Sequence, residues 1–205
     1  MSITSAVSEP SATPVEGEVL VFDDLIEPEQ HRSILTLVRG PIWAYGWKSV
    51  QGRDRFSFWH AQFAGGGKDS RENCLDELAR NSIAAPILAL WERLSSTVLG
   101  GYEPIRVYAN AHTYGIEGYV HQDSADNENY FTAIYYAHNA WHPDWAGETA
   151  FVDRETGDVT SAVYPRPGRV ILFRGSTPHV ARSPSRECPE LRVSVVFKMQ
   201  AARAV

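Results

Sequence analysis

The chemistry of this 205-residue chain concentrates in a few short stretches. In "GYVHQDSADNENYFTAIYYAH", His121 and Asp123 stand two residues apart, just before a run of aromatic and β-branched residues. Side chains at i and i+2 of a strand share a face, so the spacing predicts a strand that aims an imidazole and a carboxylate at one point. A divalent metal ion gains much from that pairing, and a purely structural domain gains little. The third ligand candidate is His179 in "GRVILFRGSTPHVARSP", 56 positions after Asp123 and near the end of a strand-like run. Two imidazoles and one carboxylate on one face suit Fe(II) and leave positions open for a co-substrate and O2.

An HxD pair alone arises often by chance, so the reading leans on His179 and on a basic residue in the next strand. Arg192 and Ser194 alternate in "LRVSVVF" and face the same way. An inward-facing Arg is costly unless it meets an anion. The carboxylate of a small acid fits it through bidentate, charge-assisted bonds. His31 lies on a polar helix face and His60 in an aromatic strand, while His112, His138 and His142 lie near strand ends or loops; all five read as surface or supporting residues. "AGGGKDS", residues 64–70, lacks the GxxxxGK[ST] spacing of a phosphate loop and reads as a flexible loop, a candidate lid.

The elements that must position these residues fall into two groups. Residues 1–17 are Ser, Thr, Pro, Ala and Glu with little to bury, which predicts a flexible tail. "VLVFDDLI" reads as a strand, "EPEQHRSILTLVRG" as a helix stopped by Gly40 and Pro41, and "RFSFWHAQF" as a strand. A longer helical pattern runs from "SRENCLDELARN" to "PILALWERLSSTVLG", with Pro86 between two helices. From Tyr102 onward the chain turns to short β-branched and aromatic runs, two of them separated by "ETGD" with Gly157 at the turn. The expected architecture is mainly β with supporting helices: a double-stranded β-helix, or jelly roll, at about 102–200, preceded by an α-helical part at about 18–100. Residues 18–205 are expected to form a single domain.

Composition narrows the partners. A net charge of −6 without a Lys/Arg block argues against nucleic acid and anionic membranes. No apolar run reaches the ~18–20 residues of a membrane span. The N-terminus lacks a signal-peptide pattern, and Cys74 and Cys188 stand alone, so a cytoplasmic protein is expected.

Taken together, His121-Gln122-Asp123, "TAIYYAHNAWHPDWAGETAFVD", "PRPGRVILFRGSTPHVARSP" and "ELRVSVVF" resemble the 2-oxoglutarate- and Fe(II)-dependent dioxygenases, and among them the prolyl-4-hydroxylase-like branch, over about residues 102–200. The resemblance implies Fe(II), 2-oxoglutarate and O2, with ascorbate as an optional reductant. It implies that His121, Asp123 and His179 ligate iron and that Arg192 binds the distal carboxylate of 2-oxoglutarate. Tyr136, rather than its neighbour Tyr135, falls where the family places a hydroxyl on that carboxylate. Tyr108 matches a second tyrosine near the co-substrate, and Ser194 the Ser of an RxS pair. Ala146 stands where the family often has a second Gly, and the loop between His179 and Arg192 is long enough to make Arg182 and Arg186 rivals of Arg192. Because Asp123 is present, the resemblance implies hydroxylation rather than halogenation, with release of succinate and CO2. A small metabolite is the expected substrate, some of the aromatic residues between Trp43 and Trp59, with Trp141 and Trp145, supplying its pocket. The alternatives are a prolyl hydroxylase acting on a peptide and a non-catalytic jelly-roll binding or sensor protein.

Overall fold

The computed structural model describes residues 13–66, 70–116, 118–126 and 128–202; most of the expected tail and the centre of the 64–70 loop lie outside the described residues. The chain runs β1 (Val19–Phe22), α1 (Pro28–Val38), β2 (Ala44–Trp47), β3 (Phe58–Ala64), α2 (Leu75–Arg80), α3 (Ala85–Ser95) and β4 (Tyr102–His112). It continues with β5 (Phe131–Tyr136), β6 (Thr149–Val152), β7 (Val159–Val163), β8 (Val170–Arg174), β9 (His179–Ala181) and β10 (Arg192–Ala201). Two antiparallel sheets result, a seven-stranded one in the order β1-β8-β5-β10-β4-β3-β2 and a three-stranded one in the order β7-β6-β9. This is the expected jelly roll.

The N-terminal part departs from the expectation of a helical support. Among the described residues its helices α1, α2 and α3 share this part with β1, β2 and β3, all of which join the large sheet. β2 escaped the sequence reading because Gly46 interrupts "AYGW" at φ +121° and shifts the register against β3 between Tyr45 and Trp47. The helices themselves follow simple patterns. Pro86 sits in the first turn of α3, where no backbone donor is missed, and Ile87, Leu90, Trp91 and Leu94 form its buried stripe.

These stripes cover one face of the large sheet. On β4, Val107, Ala109 and Ala111 face the helices; on β10, Val193, Val195, Phe197 and Met199 do the same. Alternation then sends Arg106, Tyr108, Asn110 and His112 of β4, and Arg192, Ser194, Val196 and Lys198 of β10, to the other face, toward the small sheet. A second apolar cluster, including Tyr136, Phe151, Ile171 and Phe173, closes the space between the sheets.

The short 3₁₀ turn Pro143–Trp145 ends at Ala146, whose φ of 52° and ψ of −142° belong to glycine territory. That backbone is pinned because Trp141 Nε1 donates to the Ala146 carbonyl at 2.8 Å. The glycine expected by resemblance thus has a conformational reason. Ala146→Gly is expected to raise stability by about 1 kcal/mol, or Tm by roughly 2–4 °C. Thermal unfolding checks it, and an unchanged or lower Tm would refute the strain argument.

His138 is buried against β10, with Nδ1 donating to the Pro165 carbonyl at 3.0 Å and Nε2 accepting from the Val193 amide at 2.9 Å. Burial pushes the ring down to about 3, and it pushes His112 down to about 3 as well. Unfolding releases both rings to an ordinary value near 6.5, so between about pH 6.5 and 3 the unfolded chain binds more protons. Stability therefore falls as pH drops through that window, by up to ~1.4 kcal/mol per pH unit for each ring, and is level above it. Urea unfolding of metal-free protein at a series of pH values is expected to show this slope, and His138→Gln to lose about one proton's share. An identical slope in the variant would sink the assignment.

Candidate metal centre

β8 runs into Gly175, where the chain turns toward β9, and this turn organises the site. The carbonyl of Gly175 accepts the amides of Asp123 (2.8 Å) and Ser124 (3.1 Å), while its own amide donates to the Tyr130 carbonyl at 2.7 Å. A side chain at Gly175 would collide with the Tyr130 ring, so a glycine is required. His121 and His179 form an isolated antiparallel bridge, His121 N to His179 O at 3.0 Å and His179 N to His121 O at 2.9 Å. Asp123 therefore does not continue a strand with His121, as the i, i+2 spacing predicted. It sits in a bend that turns back onto Gly175, and this bend, not strand pleating, brings its carboxylate beside the imidazoles.

The two histidines are prepared identically. His121 Nδ1 lies 2.7 Å from the Tyr119 carbonyl and His179 Nδ1 lies 2.8 Å from the Thr177 carbonyl. A carbonyl only accepts, so each Nδ1 carries the proton and each Nε2 presents a lone pair. Both Nε2 atoms point at Asp123, His121 to Oδ1 and His179 to Oδ2, each at 3.6 Å. One ligand atom from each of the three residues lies within 4.8 Å of the others. Burial pushes His179 down to about 3, which keeps its ring neutral at physiological pH. Burial alone would raise the Asp123 carboxyl, but Lys198, His179 and His121 beside it hold it well below the usual carboxylate range. The donor set fits a divalent ion: two neutral imidazoles, one carboxylate, and imidazole tautomers fixed by backbone acceptors.

Asp123 Oδ2 is engaged by Thr132 Oγ1, which donates at 2.7 Å, and by the Lys198 ammonium, leaving Oδ1 for an ion. Lys198 is buried and also meets Thr132 Oγ1 at 3.2 Å. Neither Thr132 nor Lys198 was singled out from the sequence. The signal was present: Lys198 continues the alternation of Arg192, Ser194 and Val196 along one face of β10.

The triad lies in a cavity of about 380 Å³ between the sheets. Arg192, Ser194 and Tyr108 all line it. Arg192 is 1% exposed; its Nε donates to the Gly147 carbonyl at 2.5 Å and its Nη2 to Thr149 Oγ1 at 2.9 Å. Its Nη1 is buried with no hydrogen-bond partner. Tyr136 is placed differently from the expectation: its hydroxyl bonds Thr149 Oγ1 at 2.7 Å, and Arg192 lies over its ring at 5.6 Å. It supports Arg192 from behind, and Thr149 is the hydroxyl that reaches the cavity. Tyr135 faces the helices and pairs with His31 Nδ1. Arg182 and Arg186 are exposed and line no part of the cavity, whereas Arg192 does. Of the aromatic residues considered for a substrate pocket, Trp47 lines the cavity, whereas Phe58 is core and Trp141 stacks on His138. His60, His112 and His138 are buried and His142 is exposed; none joins the triad.

Residues 109–198, which carry the whole triad and Arg192, match the family model of the 2OG-Fe(II) oxygenase superfamily. That match spans 90 of the 205 residues and places this stretch in that superfamily. This oxygenase is a 2-oxoglutarate-dependent enzyme whose cofactors are Fe(II), 2-oxoglutarate and O2. Among solved structures, its fold is similar to a 2OG-Fe(II) oxygenase from Burkholderia pseudomallei, at 16% identity and TM-score 0.67, covering 91% of this chain and 89% of that one. It is also similar to a prolyl-4-hydroxylase from Pseudomonas putida, at 14% identity and TM-score 0.59, covering 91% and 93%. A prolyl hydroxylase from Trichoplax adhaerens, in complex with a hypoxia-inducible-factor peptide, aligns at 17% identity and TM-score 0.57, covering 89% and 83%. At these identities the likeness is one of fold. Comparison with curated proteins gives no match.

Proposed function

We propose that this oxygenase hydroxylates an unactivated C–H bond of a small metabolite, with His121, Asp123 and His179 holding Fe(II) and Arg192 binding the distal carboxylate of 2-oxoglutarate. The observation that carries the reading is one cavity with two complementary needs. Two imidazole lone pairs and a carboxylate converge at one place, and the buried Arg192 Nη1 lacks an acceptor at another. A dicarboxylic 2-oxo acid answers both. Bound Fe(II), with 2-oxoglutarate and O2, would supply the oxidation, one oxygen atom going to the substrate carbon and the other to succinate, with CO2 released.

The chain's own residues do the rest. Thr132 and Lys198 fix the Asp123 carboxylate, so that its geometry does not change when substrate arrives. Gly147 and Thr149 hold the Arg192 guanidinium in one plane, leaving Nη1 for the incoming carboxylate, and Ser194 lies two residues along the same face. Tyr108 and Val196 exclude water from the walls beside the metal site.

Hydroxylation of a prolyl residue in a peptide is the second reading, favoured by the fold likeness to the Pseudomonas and Trichoplax prolyl hydroxylases. The small-molecule reading draws its support from the modest cavity volume of about 380 Å³. Residues 18–205 act as one domain in this proposal, since β1 to β3 pair into the same sheet as β10. A cytoplasmic location is supported by two free cysteines, and no helix among the described residues is long and apolar enough to cross a membrane.

Anaerobic titration with Fe(II) and then 2-oxoglutarate tests the assignment. A weak visible charge-transfer band that requires both components is expected, followed by succinate release on admission of O2. An iron-loaded protein without that band would overturn the proposal.

A further inference from the structure

We infer that the substrate carries an anionic group, carboxylate or phosphate, and that Arg106 binds it at the metal end of the cavity; this rests on the oxygenase reading above. The protein as a whole is acidic, at net −6, yet the described residues lining its cavity include Lys48, Arg106, Arg192 and Lys198 against a single carboxylate, Asp123. Such a concentration of positive charge in a low-dielectric cleft raises the local concentration of anions. Two of the four cations have duties: Lys198 meets Asp123, and Arg192 is assigned to the co-substrate. Iron and 2-oxoglutarate together bring no surplus negative charge, so Arg106 and Lys48 stay uncompensated.

Position separates Arg106 from the co-substrate subsite. In the antiparallel ladder of β4 and β10, Arg106 lies opposite Lys198, whereas His112 lies opposite Arg192. Six residues, or roughly 20 Å of strand, separate the two ends. Since Lys198 touches Asp123, Arg106 stands across the floor from the metal ligands. Its guanidinium is held over the rings of Tyr108 at 4.6 Å and Trp47 at 5.0 Å, with Trp47 stacked in turn on His60 at 4.1 Å. Nε is buried without a partner, and the head group donates a long hydrogen bond, Nη2 to Gln62 Oε1 at 3.5 Å. No acidic side chain among the described residues forms an ion pair with it. A guanidinium fixed by aromatic rings but short of acceptors is pre-organised for an oxyanion that accepts two parallel hydrogen bonds.

The test uses ligand-observed fluorine NMR on full-length protein loaded with Zn(II) in place of iron and with saturating 2-oxoglutarate. The probes are para-fluorobenzoate and para-fluorophenyl phosphate, with para-fluorobenzamide as the neutral control. At least one anion is expected to bind while the amide does not, and which one binds tells carboxylate from phosphate. Arg106→Gln is expected to weaken that binding at least tenfold, and Arg106→Lys by less, with 2-oxoglutarate affinity retained in both. Equal binding of the amide, no binding of either anion, unchanged binding in Arg106→Gln, displacement of the probe by 2-oxoglutarate, or tighter binding of a neutral capped prolyl peptide would each overturn the inference. A protein that gives no charge-transfer band with Fe(II) and 2-oxoglutarate has failed the oxygenase reading before any probe is added, so the two failures are distinct.

Discussion

His179→Ala is expected to abolish Fe(II)-dependent succinate release, by about a thousandfold or more, while leaving the fold intact. The imidazole is one of the three converging donors, and a metal held by them would contribute several kcal/mol of stabilisation to the reacting groups. The alanine keeps the backbone pair between residues 121 and 179, because both of its hydrogen bonds are main-chain. The ring borders the existing cavity and makes one hydrogen bond, to the Thr177 carbonyl, so its truncation widens that cavity rather than opening a new one and the variant loses little stability. Asp123→Ala would be a poorer probe. It strands the buried Lys198 ammonium with Thr132 alone, and an uncompensated buried charge costs about 3–5 kcal/mol. The two variants thus differ in a measurable way: His179→Ala loses iron binding at nearly unchanged Tm, and Asp123→Ala loses both. Anaerobic iron titration together with thermal unfolding separates them. Iron affinity and turnover near wild type in His179→Ala would show that the metal is held elsewhere.

The triad was legible because its signal is one of residue type and order: a His and an acid close together, a second His behind a β-rich run. How the triad is held was not legible. The spacing of His121 and Asp123 matched a strand, but Asp123 reaches the site through a bend tied to Gly175, a hydrogen bond across more than fifty residues that no local pattern announces. Alternation in β10 was read correctly at Arg192 and Ser194 and stopped too early. Lys198 lies two further steps along the same face, in a run that is buried on both sides, where apolar neighbours hide the period. Tyr136 illustrates a different limit. Its face could be inferred from the strand, but the partner of its hydroxyl depends on Thr149, which belongs to the opposite sheet. Helices α1 and α3 were read from their apolar spacing, whereas β2 was lost at the bulge around Gly46.

Arg192→Met is expected to weaken 2-oxoglutarate binding by about 2–4 kcal/mol, or roughly thirtyfold to a thousandfold, without loss of iron binding. The magnitude follows from burial. Arg192 is 1% exposed, so a carboxylate that enters beside it gives up its water and depends on the guanidinium for replacement bonds. Methionine offers none. Stability is expected to move the other way in the ligand-free protein. Burial already pushes the Arg192 guanidinium below its ordinary value, and a methionine of similar length removes a desolvated cation whose Nη1 has no partner. Replacing such a group by an apolar one is often neutral or stabilising. The co-substrate is then what repays the burial of Arg192, and saturating 2-oxoglutarate should raise the Tm of wild type but hardly that of Arg192→Met. Arg192→Lys falls between the two. It keeps the charge, but one ammonium cannot satisfy the Gly147 carbonyl, Thr149 and a carboxylate in the fixed plane the guanidinium uses. The charge-transfer band, titrated with 2-oxoglutarate under anaerobic conditions, reads all three proteins. An unchanged midpoint in Arg192→Met would move the carboxylate partner to another cation of the cavity, with Arg106 the first to examine.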